Sequence, residues 1–339
     1  MMVQIDECLN SPNKLRILSI DGGGILGTFP AAFLAGLEKQ LDQPIGDYFD
    51  LISGTSTGGI IAIALGMGLS ATDILRMYKE DGPNIFGQSG NFFQNFLANK
   101  ARLLRWFYRQ KYRSKKLNYT LDRLFGDKKL GDAKHRLVIP AWNPVSQSVY
   151  IFKTPHHLRF RTDYKSPIID VALATSAAPT YFQQHITEES VGLIDGGIWA
   201  NNPIAVAVTE AIGVLKWPAD QIYVLSLGCL DEAYTLPKAA GLGLIATKLV
   251  SLFMNGQSHG AMGIAKLLTG DEHERNAIFR VNHRVSTGIY TMDGVSQIEN
   301  LEGLGFSYAR ERFPSLRSVF FEFTAEPFEP LYKITEEML

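Results

Sequence analysis

Gly54-Thr55-Ser56-Thr57-Gly58 lies between an apolar run, Leu51 to Ser53, and a second apolar run at helical spacing from Ile60. A serine on a sharp strand-to-helix turn takes strained dihedrals, so its neighbours must lack bulk where the backbone doubles back. Its hydroxyl then stands clear of the turn, above the sheet edge. The helix that follows, Gly58 to about Met67, aims unpaired amides and a positive dipole end at that hydroxyl, which favours an alkoxide and the oxyanion formed when it attacks a carbonyl. The pattern is short, and a Gly/Ser/Thr turn without chemistry satisfies it equally.

A second small-residue hinge precedes it. Leu15 to Ile20 is an apolar run ending at Asp21-Gly22-Gly23-Gly24, followed by Phe29, Phe33, Leu34, Leu37 and Leu41 at helical spacing, with Pro30 in the first turn. Gly22 to Gly27 formally fits the dinucleotide fingerprint G-x-G-x-x-G. That use needs an acidic residue at the end of the next strand, and here the next strand ends in the serine hinge. The same glycine amides suit an oxyanion, also a small negative charge beside a helix N-terminus.

A serine nucleophile needs a base. The order serine, acid, then late histidine would point to His283, although spacing identifies no acid to orient it. Asp195 directly follows the short strand Val191 to Ile194 and precedes two glycines; held in a desolvated cleft, its carboxyl would rise towards the pKa of a working base. Asp-Gly is also an ordinary turn dipeptide.

The elements that must hold these residues alternate strand and helix. Ser70-Ala71-Thr72-Asp73 opens a helix to about Glu80. Arg136 to Trp142 and Val149 to Lys153 read as strands joined by a turn, and Ser166-Pro167 starts a helix through about Ala174. Asn202-Pro203 caps another, and Ile222 to Leu227 is a buried strand. Residues from about Ala239 to Leu268 are helical. Ala277 to Val281, a helix Ile298 to Phe313 and the run Arg317 to Phe323 close the chain. With 339 residues, 46% hydrophobic and 20% charged, no repeat and no low-complexity linker, the chain reads as one domain, 1–339.

A formal charge of −1 argues against a general nucleic-acid-binding surface. Cys8 and Cys229 have no disulfide or zinc spacing, and neither a signal peptide nor a membrane span is legible, so a reducing cytoplasmic setting without metal or cofactor is expected. Asn91 to Lys116 is different. Phe92, Phe93, Phe96, Trp106, Phe107 and Tyr108 alternate with Lys100, Arg102, Arg105, Arg109 and others, with no acid between Asp81 and Asp122. This composition suits a helix at an anionic bilayer surface or an anion site for a phosphorylated ligand, and equally a solvated helix face.

Asp21-Gly-Gly-Gly, Gly54-Thr-Ser-Thr-Gly58, Ala174-Thr-Ser-Ala-Ala-Pro-Thr-Tyr-Phe182 and Asp195-Gly-Gly-Ile-Trp-Ala-Asn-Asn-Pro203, four ordered motifs across roughly Leu15 to Ala205, resemble the patatin-like phospholipase family. The resemblance implies a three-layer α/β/α fold with a central, mostly parallel sheet, and a Ser-Asp dyad in place of a triad. Ser56 would be the nucleophile, Asp195 its base, and Gly22, Gly23 and Gly24 the oxyanion donors. The family usually carries a basic residue two positions after the third glycine, where this chain has Leu26. The C-terminal third is similar only at Leu225-Ser226-Leu227-Gly228. Length and plan are similar to bacterial antiphage members of the family, implying a membrane phospholipid substrate, a cyclic-nucleotide activator and peripheral contact with the inner membrane; a homodimer is compatible with this plan.

Overall fold

The computed structural model describes residues 14–86, 115–179, 181–233, 242–271, 275–286 and 289–334. In chain order the strands are β1 Leu15–Ile20, β2 Leu51–Gly54, β3 Leu137–Asn143, β4 Ser148–Lys153, β5 His185–Ile186, β6 Gly192–Asp195, β7 Ile222–Leu227, β8 Asp231–Ala233, β9 Ile278–Val281 and β10 Arg284–Ser286. The longer helices are α1 Thr28–Glu38, α2 Thr57–Gly66, α3 Ala71–Glu80, α4 Lys115–Phe125, α5 Ile168–Ser176, α6 Ile204–Gly213, α7 Leu242–Thr269 and α8 Ile298–Phe320. The cationic stretch 91–116 lies outside the described residues, apart from Lys115 and Lys116, which open α4.

The main sheet has the order β5-β6-β3-β2-β1-β7-β9, with β4 also on β3. Strands β3, β2, β1, β7 and β9 run parallel. β1 (LRILSI) and β7 (IYVLSL) are nearly continuous apolar runs because parallel strands are covered on both faces. Alternation divides the two coverings. Ile17, Leu51, Val138 and Val224 meet Ile204, Ala207 and Val208 of α6 and Ala265 of α7. Leu18, Ile20, Ile52, Ile139 and Leu225 meet the opposite layer, built from α1, α2, α5 and α8. The expected three-layer α/β/α architecture with a mostly parallel centre is what the chain forms.

The pairings of β3 bring the two candidate chemical residues together. β4 occupies one edge of β3 from Val138 to Asn143, so β2 and β6 must share the other: β2 at Leu137 and Val138, β6 at Ala141 and Trp142. β2 runs parallel to β3 and β6 antiparallel. The two strands therefore point at one another along one edge and stop with their C-termini facing. The turn after Gly54 and the carboxylate of Asp195 meet in the gap.

One boundary differs from the sequence expectation. The helix expected to end at Phe313 continues through Pro314 to Phe320 and absorbs most of the Arg317–Phe323 run. Proline interrupts the helical hydrogen bonds. Here Leu316, Val319 and Phe320 are buried on the far side of it, with Phe320 against Phe49 and Phe279, and that apolar burial outweighs the interruption.

Helices α1 and α8 pack closely because glycine lies at their contact. A Cβ built on Gly305 would come 2.6 Å from Ala32 Cβ and 2.7 Å from the Phe29 carbonyl, whereas one on Gly303 of the same helix would meet nothing within 4 Å. Gly305→Ala should therefore destabilise by about 1–3 kcal/mol through overpacking. Gly303→Ala should stabilise by roughly 0.5–1 kcal/mol through helix propensity. Urea denaturation of the two variants reads both signs; equal effects would show that the helix contact is looser than drawn.

Candidate active site

Ser56 adopts φ 55° and ψ −123° at the N-terminus of α2, in a region that non-glycine residues rarely occupy. Such strain persists only where the surroundings over-determine it. The Ser56 N–H donates to Thr175 Oγ1 at 3.0 Å, and that hydroxyl donates to the Pro140 carbonyl of β3 at 2.6 Å. Thr55 donates its N–H to the Ile20 carbonyl at 3.2 Å and its hydroxyl to the Ala200 carbonyl at 2.7 Å. The turn is thus held from β1, from β3 and α5, and from the segment after β6. Its two glycines are steric requirements: a Cβ on Gly54 would overlap the Gly58 carbonyl, and one on Gly58 would lie 2.5 Å from the Asp21 carbonyl.

Asp195, the last residue of β6, is 4% exposed. Its carboxylate accepts the Gly197 N–H at 2.7 Å and faces the Ser56 hydroxyl, whose interaction with it lowers the carboxyl's pKa. Burial pushes its pKa up to about 6, and these two interactions oppose that rise. A carboxyl so tuned is ionised at neutral pH yet basic enough to take a proton from a hydroxyl that is losing it.

The glycine loop passes beside the serine, with Gly22 Cα in reach of Ser56 and Asn201. The Gly22 N–H donates to the Asn201 carbonyl at 2.9 Å, so it is already engaged. Among the described residues no acceptor meets the amides of Gly23 and Gly24. Gly24 sits at φ +59° against the Met292 carbonyl, and that same carbonyl accepts the Ile25 N–H at 2.8 Å; a side chain there would be both strained and crowded. Gly27 packs on Thr57 and Tyr78. Of the three glycines of the dinucleotide fingerprint, Gly22 and Gly27 are therefore packed against the serine turn and Gly24 against Met292.

Four of the described histidines are engaged away from the serine. His283 Nδ1 is 2.8 Å from the Tyr308 hydroxyl, His156 Nε2 is 3.1 Å from Glu210, His185 Nε2 is 2.7 Å from Asp170 and His135 Nε2 is 3.2 Å from Asp47. The carboxylate, and not His283, meets the serine. Among the described residues no group of three or more His, Cys, Asp and Glu side chains is arranged to hold a metal ion, and no helix is long and apolar enough to cross a membrane.

Several supporting residues carried no individual signal. Thr175 and Asn201 fall within the quoted motifs but were not distinguishable from their neighbours. Arg280 lies in no motif. Its guanidinium meets the Asp21 carboxylate at two points, 2.9 and 2.5 Å, and donates to Ser226 Oγ at 2.8 Å. Leu26, at the position where a basic residue is usual, is instead part of the apolar core.

Residues 18–208 match the family model for the patatin-like phospholipases. The chain is 33% identical to a cGAMP-activated phospholipase of Vibrio cholerae, covering 94% of this chain and 97% of that one. It is 30% identical to a cGAMP-activated phospholipase of Escherichia coli, over 93% and 95% respectively. Patatin-like protein 1 of Arabidopsis thaliana is 31% identical over 86% of this chain and 80% of its own. A match across more than half of the chain, together with relatives similar over nearly all of it, shows that the chain belongs to the patatin-like phospholipase family and is a hydrolase of that kind.

Proposed function

We propose that the chain cleaves fatty-acyl esters of membrane phospholipids, with Ser56 as nucleophile and Asp195 as its base. One observation carries the reading: β2 and β6 end facing each other on β3, so the Ser56 hydroxyl, presented on a strained turn, faces the buried carboxylate of Asp195, which burial holds near 6. Ser56 Oγ attacks the acyl carbonyl as its proton passes to Asp195. Charge developing on the carbonyl oxygen is met by the Gly23 and Gly24 amides and by the positive end of α2. The bond to the leaving alcohol breaks, the alcohol takes the proton from Asp195, and the acyl group remains on Ser56. Water then attacks this ester as it gives a proton to Asp195; Ser56 leaves, takes that proton back, and the fatty acid departs. Gly22 has a different part, since its amide is committed to Asn201: it provides the close approach of the loop to Ser56.

The names of the Vibrio and Escherichia relatives support a phospholipid substrate and cyclic-nucleotide activation. We extend both to this chain as a cytoplasmic enzyme recruited to the inner membrane in antiphage defence, with the cationic, aromatic stretch 91–116 as the lipid contact and a homodimer as a compatible assembly.

Ser56→Ala and Asp195→Asn should each lower turnover of a phospholipid or a soluble short-chain ester by at least about a thousandfold, because the two act as a unit. A fluorophosphonate should label Ser56, read by peptide mass spectrometry. Labelling elsewhere, or near-normal turnover by Asp195→Asn, would overturn the dyad.

Because the base must be ionised, kcat should rise with pH through about 6 and level off above it. A profile flat between pH 5 and 8 would assign the proton transfer to another group.

The same shift has a stability consequence of definite sign. An acid whose pKa is raised by folding, here from 3.8 to about 6, destabilises the native state progressively as pH climbs between those values. Asp195→Asn should therefore melt a few degrees above the wild type at pH 8, for a gain on the order of 2–3 kcal/mol. The gain should shrink as pH falls through 6 and vanish below about 4, which thermal melts across the range would test.

A further inference from the structure

One charged side chain at the base of the glycine loop has no part in the chemistry described so far. Arg280 stands on β9 opposite Ser226 of β7, which in turn stands opposite Ser19 of β1. Its guanidinium crosses one strand, donating to Ser226 Oγ on the way, and ends in the two-point contact with Asp21. Asp21 immediately precedes the three glycines, and its side chain is 5% exposed. A planar fork on a carboxylate fixes orientation as well as distance, which a point charge cannot do.

Asp21 is bonded at every polar atom. Its N–H donates to the Leu227 carbonyl at 2.9 Å, its own carbonyl accepts the Cys229 thiol at 3.2 Å, and both carboxylate oxygens are on Arg280. The glycines that follow have no side chains with which to anchor themselves, so the direction of their amides depends on the flanks. Met292 holds the far flank through Ile25. Arg280 holds the near one through Asp21.

We infer that Arg280 is a positioning residue for the hydrolysis, aiming the Gly23 and Gly24 amides through Asp21 without touching the substrate; this rests on the dyad and oxyanion reading given above. Charge on the carbonyl oxygen exists fully only in the transition state, so misaimed donors cost rate and leave ground-state binding almost unchanged. If the ion pair did no more than tie β1, β7 and β9 together, its loss would reduce the number of folded sites and leave each surviving site as fast as before.

Active-site titration separates the two roles. Functional Ser56 is counted with a fluorophosphonate in the wild type, Arg280→Lys, Arg280→Met and Asp21→Asn, and kcat per titrated site and KM are then measured on a soluble short-chain ester. Arg280→Lys, which keeps the charge and loses the fork, should fall about tenfold in kcat per site. Arg280→Met should fall about a hundredfold or more, within the range seen when an oxyanion donor is lost. KM should stay within about twofold in both. If Arg280→Met does not fold, the graded loss between wild type, Arg280→Lys and Asp21→Asn carries the test. Wild-type turnover per titrated site in the folded variants, or a loss confined to KM, overturns the inference. A wild-type enzyme that is not labelled at Ser56, or that retains its turnover as Ser56→Ala, overturns the dyad reading first and the inference with it.

Discussion

A β-strand has two hydrogen-bonding edges, and β3 serves three neighbours. The solution is that β2 and β6 divide one edge, arrive from opposite directions and stop short of each other. The geometry of the candidate site follows from that truncation. Because β2 ends early, the chain must turn sharply at Ser56; because β6 ends facing it, the final side chain of that strand, Asp195, is delivered to the serine inside the protein and not at a loop tip. Among the described residues it is this carboxylate, and not His283, that faces the serine hydroxyl, because His283 is engaged with Tyr308.

The arrangement is held at some cost to the fold. A non-glycine residue at φ 55° and a carboxyl ionised where burial opposes it each raise the free energy of the native state by on the order of a kcal/mol or more. Two apolar layers on a mostly parallel sheet offset that cost, and the local hydrogen bonds decide where the strain is stored. Thr175 is the clearest example: its single hydroxyl accepts from the strained serine and donates to β3, so the turn is braced against the strand whose edge created it.

Much of this was legible in the sequence, and the reason is locality. β1, β2, β7, the Ser70 cap and the serine turn are each specified within ten residues or so, by apolar runs and by small residues where the backbone must pass close. The identity of Asp195 as partner was not local; spacing left it beside His283, and the resemblance to a family favoured it. What escaped is what depends on contacts distant in sequence. Nothing near Gly22 announces that its amide is committed to Asn201, nothing near Arg280 points to a carboxylate 259 residues away, and Pro314 reads as a helix end until the burial of Phe320 is known.

Pro140 lies within β3, in a sheet interior where a residue without an N–H is ordinarily excluded. It falls between the stretch paired with β2 and the stretch paired with β6, and its carbonyl faces away from β4 to receive Thr175. In a strand the N–H and C=O of a residue share an edge, so the missing donor faces the gap, where neither β2 nor β6 is paired with this residue. The proline thus leaves the seam between β2 and β6 without a strand N–H that would need a partner there.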